Sequence, residues 1–211
     1  MVRSLPASAR RRTSAFTLIE VMLVVVMLGI AGVLVIPSMS QTNVLRVQST
    51  VRTLVADIAF LQSDAVAYQS RRAIVFGVVP RKNPDSGTWE FVAGNGYTLA
   101  EVRGASLDLA TDALIDPDDS SRPFGRDFSE ARYAGAVLSN PSFNGDSMLI
   151  FDELGGPVAE LQGPDAGNGG SVRISGSGAA FRVDIQAYTG RVRVTKIADI
   201  NDPEGAFGGN G

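Results

Sequence analysis

Phe16–Ser70 reads FTLIEVMLVVVMLGIAGVLVIPSMSQTNVLRVQSTVRTLVADIAFLQSDAVAYQS, and its two halves follow different rules. The first, Phe16–Ile36, is 21 residues long with one charge, Glu20, and Val21–Ile36 carries none. As a helix it would measure roughly 31 Å, about the thickness of a bilayer hydrocarbon core. Residues 1–15 hold Arg3, Arg10, Arg11 and Arg12 and no acid. Loops rich in arginine stay on the cytoplasmic side, so this order predicts a basic leader inside and the remaining chain carried across. An ordinary secretory signal shares the order, with Ser38-Met39-Ser40 as its cleavage site, and so does a plain anchor. Neither accounts for Glu20, because a charge toward the bilayer centre costs about 2.5–3.5 kcal/mol and marks a functional position.

Beyond it the pattern is amphipathic. Val44, Val47, Val51, Leu54, Ile58, Leu61, Ala65 and Tyr68 recur at spacings of 3 and 4, one stripe of a continuing helix over 38–70. The flanking positions are mostly Ser, Thr, Gln and Ala rather than the charges of a coiled coil, so a sheet of the same chain is expected to cover the stripe. Asp57, Asp64, Arg46 and Arg52 are expected on the other faces. Pro37 lacks an N–H and crowds the carbonyl of Val33, and Gly29 and Gly32 weaken the same stretch, so a kink or local opening is expected between Gly29 and Pro37.

After Arg71-Arg72 the period changes from 3.6 to 2. Ile74–Val79, Thr88–Val92 and Tyr97–Val102 are predicted strands, bounded by Pro80, Asn83–Gly87 and Gly94-Asn95-Gly96. About Gly104–Ser147 the chain is rich in Asp, Pro, Ser and Gly and reads as long loops around one or two strands. Strands resume at Met148–Phe151, Val158–Leu161, Val172–Ser175, Ala180–Ala187 and Arg191–Ile197, with Tyr188-Thr189-Gly190 turning the last hairpin. One long helix followed by strands predicts an α+β fold, the helix packed on a mostly antiparallel sheet. The segments are a leader (1–15), a membrane-spanning helix half (16–37), an amphipathic helix half (38–70), a β-rich domain (71–198) and a frayed tail (199–211).

Composition excludes much chemistry. The 211 residues include no Cys and no His, which removes disulfides, thiolate nucleophiles, zinc–thiolate sites and imidazole bases. The net charge is −3, and setting the four leader arginines aside leaves 15 basic against 22 acidic residues, an acidic body ill suited to binding phosphate backbones. Asp152 and Glu153 are adjacent and would point to opposite faces of a strand, which suits no paired-carboxylate catalysis. Asp116, Asp118 and Asp119 offer oxygens for calcium, but EF-hand spacing and its closing Glu are absent, so they read as a solvated acidic loop. No catalytic, cofactor or metal site is expected, and no enzyme.

Ser14-Ala15-Phe16-Thr17-Leu18-Ile19-Glu20-Val21 resembles the signal of type IV pilins and pseudopilins, in which a dedicated peptidase cuts before an aromatic residue and methylates the new amino terminus. The resemblance implies a cut between Ala15 and Phe16, N-methylation of Phe16, and an assembly role for Glu20, whose carboxylate pairs with the amino terminus of a neighbouring subunit. Ala15 departs from the usual Gly before the cut. The order of helix, IVFGVV strand, Trp89 strand, Phe151-Asp152-Glu153-Leu154-Gly155 and Tyr188-Thr189-Gly190-Arg191-Val192-Arg193-Val194 is similar to the GspH/FimT type of minor pseudopilin. It implies a pilin-like fold and a single-pass inner-membrane precursor assembled into a periplasmic filament of a type II secretion system. Its partners would be a prepilin peptidase/methyltransferase, other pseudopilin subunits and inner-membrane lipid. Some FimT-type relatives bind DNA through a basic carboxy-terminal hairpin, which makes Arg191, Arg193 and Lys196 candidates, with Arg173 and Arg182 beside them. The competing reading is an edge strand guarded by charge. The acidic body favours it, so nucleic acid is not an expected partner. The alternatives are a minor type IV pilin of FimT type serving natural transformation, or one serving adhesion or motility.

Overall fold

The computed structural model describes residues 16–133, 135–176 and 178–197, with the side chains of 32–44 excluded. The leader with Ala15, the side chain of Pro37 and the tail from residue 199 therefore lie outside the described residues. Two compact units divide the chain, Met1–Ser40 and Gln41–Gly211.

Helix α1 spans Leu18–Tyr68 and is continuous in secondary structure through Gly29 and Pro37. In the first unit its described large apolar side chains, from Leu18 to Ile30, are all exposed. Among the described residues no helix is long and apolar enough to cross a membrane; the side chains of the apolar run are described only through Ala31.

In the second unit the stripe is buried at Val47, Val51, Leu54, Ile58, Leu61 and Ala65, each stabilising the fold by roughly 1–3 kcal/mol. Tyr68 departs from it at 71% exposure, because the helix ends there. Gln69 adopts a left-handed φ of 49°, and the Ser70 N–H closes back on the Ala65 carbonyl at 3.2 Å, a Schellman-type stop.

Eleven strands follow among the described residues: β1 Arg72–Lys82, β2 Trp89–Glu101, β3 Ile115–Asp116, β4 Asp119–Pro123, β5 Gly125–Asp127, β6 Val137–Phe143, β7 Met148–Phe151, β8 Pro157–Val158, β9 Gly169–Gly176, β10 Ala179–Gln186 and β11 Val192–Ile197. A short helix α2, Leu109–Asp112, precedes β3. The fold is α+β. The strands form not one sheet but two, β5-β2-β1-β7-β8 and β11-β10-β9-β6, plus the ribbon β3-β4. Every pairing is antiparallel. One apolar cluster joins the stripe of α1 to Ile74, Phe76 and Leu99 of the first sheet and to Ile174, Val183 and Ile185 of the second.

Three further sequence expectations are corrected. Gly94-Asn95-Gly96 does not end a strand but lies inside β2. A Cβ on Gly94 would come within 2.5 Å of Val79 Cγ2, and one on Gly96 would strike the Arg126 carbonyl, so the glycines admit close neighbours instead of a turn. Asn95 then joins the sheets through its side chain, donating to the Ala136 carbonyl and accepting from the Leu138 N–H, both at 2.8 Å. The Asp-rich middle holds four strands, β3 to β6, rather than one or two. Asp57, expected on an outer face of the helix, is buried.

Candidate functional site

At the start of α1 the Thr17 hydroxyl accepts from the Glu20 N–H at 3.3 Å, and the Thr17 carbonyl accepts from the N–H groups of Glu20 and Val21. Thr17 is thus an N-cap. The spacing Thr-x-x-Glu is that of a capping box, a local signal present in the sequence that gives Glu20 a second reason to stand there. Its carboxylate is exposed in the first turn, where the helix dipole favours negative charge. Phe16 lies just before the helix and is 78% exposed. Apart from the helix's own neighbouring backbone, Gly29 has no atom within 4 Å of where a Cβ would lie.

The carboxy-terminal hairpin is positioned by Gln62 of α1, whose amide donates to the Gly155 carbonyl at 2.6 Å and to the Thr189 carbonyl at 3.1 Å. Tyr188 and Gly190 both take left-handed φ, 62° and 65°, so Tyr188-Thr189-Gly190 turns back onto Phe151–Gly155. The register then assigns faces. Arg193 stands opposite Asp184 and Thr195 opposite Arg182, while Arg182 stands opposite Arg173. Arg173, Arg182 and Arg193 therefore share the outward face of the second sheet, and Arg191 enters it from the turn. Asp184 sits among them, 2.9 Å from Arg182. Lys196 stands opposite Phe181, in the alternate set with Val194 and Val183, so it belongs to the other face and does not extend the arginine row.

The acidic middle is only partly solvated. Asp118 and Asp119 are exposed, but Asp116 is 2% exposed and faces two guanidinium groups, Arg122 Nε at 3.3 Å and Arg126 Nη1 at 3.2 Å. Among the described residues no group of three or more His, Cys, Asp or Glu is placed to hold a metal.

The polar cluster that sequence reasoning missed is centred on Asp57. Its carboxylate accepts from Arg126 Nε at 2.9 Å and from the Tyr97 hydroxyl at 2.7 Å. Arg126 also lies over the Phe124 ring at 4.9 Å. Although burial opposes its charge, the hydrogen bonds and field of Asp57 raise Arg126 above its ordinary value. Burial first, and then the Asp57 charge, push the Tyr97 phenol well above 10.0. A second tie, Arg72, is buried and reaches Asp64 at 2.5 Å and Glu101 at 3.2 Å. Both clusters fasten the helix to the first sheet.

No family model and no solved structure matches the chain. It is similar to the Type II secretion system core protein G of Pseudomonas aeruginosa, 35% identical over 86 residues, which is 38% of this chain. The match spans about three fifths, 61%, of that protein's length. The similarity supports a relationship to pseudopilin and pilin-like chains and does not distinguish the GspH/FimT type.

Proposed function

We propose that this chain is a structural subunit of a type II secretion pseudopilus, of the minor GspH/FimT type. It is made as a single-pass inner-membrane precursor, cut between Ala15 and Phe16, methylated on Phe16, and assembled with other pseudopilins into a periplasmic filament. The observation that carries this reading is the apolar half of α1. From Leu18 to Ile30 its large side chains are 48–79% exposed, an unpartnered surface far larger than a soluble monomer carries, headed by the single charge of Glu20. Lipid before assembly and neighbouring helices after it would cover that surface. The similarity to the secretion core protein supports the same machine. Gly29 and Pro37 would let the helix open locally as it leaves the bilayer. Coexpression with a prepilin peptidase tests the proposal: mass spectrometry should find the mature chain starting at methylated Phe16. Cleavage after Ser40 would overturn it in favour of a secretory signal.

A second reading is DNA uptake by a FimT-type pilin, which the arginines on the outward face of β9–β11 favour. Asp184 within that row and the acidic body weigh against it.

A further inference from the structure

An open groove of about 510 Å³ runs between the flank of α1 and the edge strand β11. Its floor is Val51, Val55, Ala59, Phe181 and Val194, with Arg52 on its rim, and Val194 is 43% exposed. Lys196 belongs to the same strand face as Val194. Arg193, and Arg191 before it, belong to the opposite face, so Arg52 and Lys196 are the cations on this side. An apolar floor with a cationic rim calls for an apolar residue accompanied by carboxylates.

The same chain carries that complement elsewhere. Residues 106–121 include five Asp and no Lys or Arg. Within them Ile115 is 64% exposed beside exposed Pro117, Asp118 and Asp119. The two surfaces lie on opposite flanks of one helix. Asp57 binds Arg126, which binds Asp116, and Phe60 packs on Phe124 at 5.3 Å; these fix the β3–β4 ribbon to one side. At about 100° per residue, Val55 and Asp57 are roughly 160° apart around the axis. The loop therefore points away from the chain's own groove. Complementary patches on opposite sides make a head-to-tail contact rather than a two-fold one.

We propose that this groove is the docking site for the β3–β4 loop of a second copy of this chain, with Ile115 seated on Val55 and Val194 and with Asp118 and Asp119 against Arg52 and Lys196. The proposal deepens the filament reading on which it rests, and its test requires no processing by a peptidase. Because the chain has no Cys, full-length Ile115→Cys and full-length Val194→Cys, differently tagged and mixed in detergent, give one possible mixed disulfide. That disulfide should form on mild oxidation and should not form when Leu154→Cys, an 84% exposed site, replaces Ile115→Cys. Adding Asp118→Lys and Asp119→Lys to the first chain should abolish it. Adding Arg52→Glu and Lys196→Glu to the second chain as well should restore it, because the charges are then exchanged. All of these positions are exposed, so folding is expected to survive, and unchanged thermal unfolding checks that. Absence of the mixed disulfide, insensitivity to charge reversal, or a Val194→Cys thiol shielded from maleimide in the dilute single chain would overturn the proposal, the last because something else already covers the groove. Failure here with normal processing at Phe16 refutes the interface alone; normal cross-linking with cleavage after Ser40 refutes the filament reading alone.

Discussion

Arg126 grips Asp57 with two hydrogen bonds, Nε to Oδ2 at 2.9 Å and Nη2 to Oδ1 at 3.3 Å, across 69 residues of sequence. The side chains are 11% and 9% exposed. This fork fastens the amphipathic half of α1 to β5, and through Asp116 to the acidic ribbon.

Removing both members should therefore cost less than the two single removals added together. Arg126→Met leaves the carboxylates of Asp57 and Asp116 short of a partner and should lower stability by about 3–5 kcal/mol. Asp57→Leu combined with Arg126→Met should cost clearly less than the sum of the single changes, since no charge at position 57 remains unpaired. Urea unfolding of the full chain in detergent measures both.

Alongside Tyr133, whose phenol is also raised by burial, Tyr97 contributes to the alkaline loss of stability. Its phenol titrates higher in the folded chain than in the unfolded one, so its contribution is complete below the ordinary value of 10.0 and is lost as pH climbs from there toward the folded value, the unfolded chain ionising first. Tyr97→Phe should reduce that alkaline loss and diminish the late-titrating component of the ultraviolet phenolate band, leaving the part due to Tyr133.

Gly190 has no room for a side chain. A Cβ there would lie 2.8 Å from both Gln62 Nε2 and Phe151 Cε1, at a φ of 65°. Gly190→Ala should destabilise the chain by about 1–3 kcal/mol and loosen the hairpin, seen as faster amide exchange in β11 than in β9.

Glu20 has two roles that substitutions separate. Glu20→Gln keeps a side chain of capping-box type but removes the charge, whereas Glu20→Ala removes the charge and that side chain; the bond from the residue-20 N–H to the Thr17 hydroxyl survives in both. If the carboxylate pairs with a neighbour's amino terminus, both variants should insert in the membrane and both should fail to enter filaments. Assembly of Glu20→Gln at normal levels would leave only the cap.

The arginine face should not bind DNA. Duplex DNA at physiological salt should show negligible affinity for the full chain in detergent, because carboxylates such as Asp184 lie well within the Debye length of about 8 Å of the arginines. Binding that falls steeply with salt and is lost in Arg191→Ala with Arg193→Ala would favour the DNA-uptake reading.

Local sequence determined the helix, its buried stripe from Val47 to Ala65, most strand positions and the turns at Asn83–Gly87 and Tyr188–Gly190. Hydrophobic period and turn chemistry act over a few residues and need no partner. The Thr17–Glu20 spacing acts on the same local terms. Tertiary structure alone decided the burial of Asp57, the strand conformation of Gly94–Gly96 and the division into two sheets. Each depends on groups far along the chain: Arg126 for Asp57, the Arg126 carbonyl and Val79 for the glycines, the pairing partners for the sheets. A charge or glycine has the same local pattern whether water or a distant neighbour meets it, and only the assembled fold supplies that neighbour.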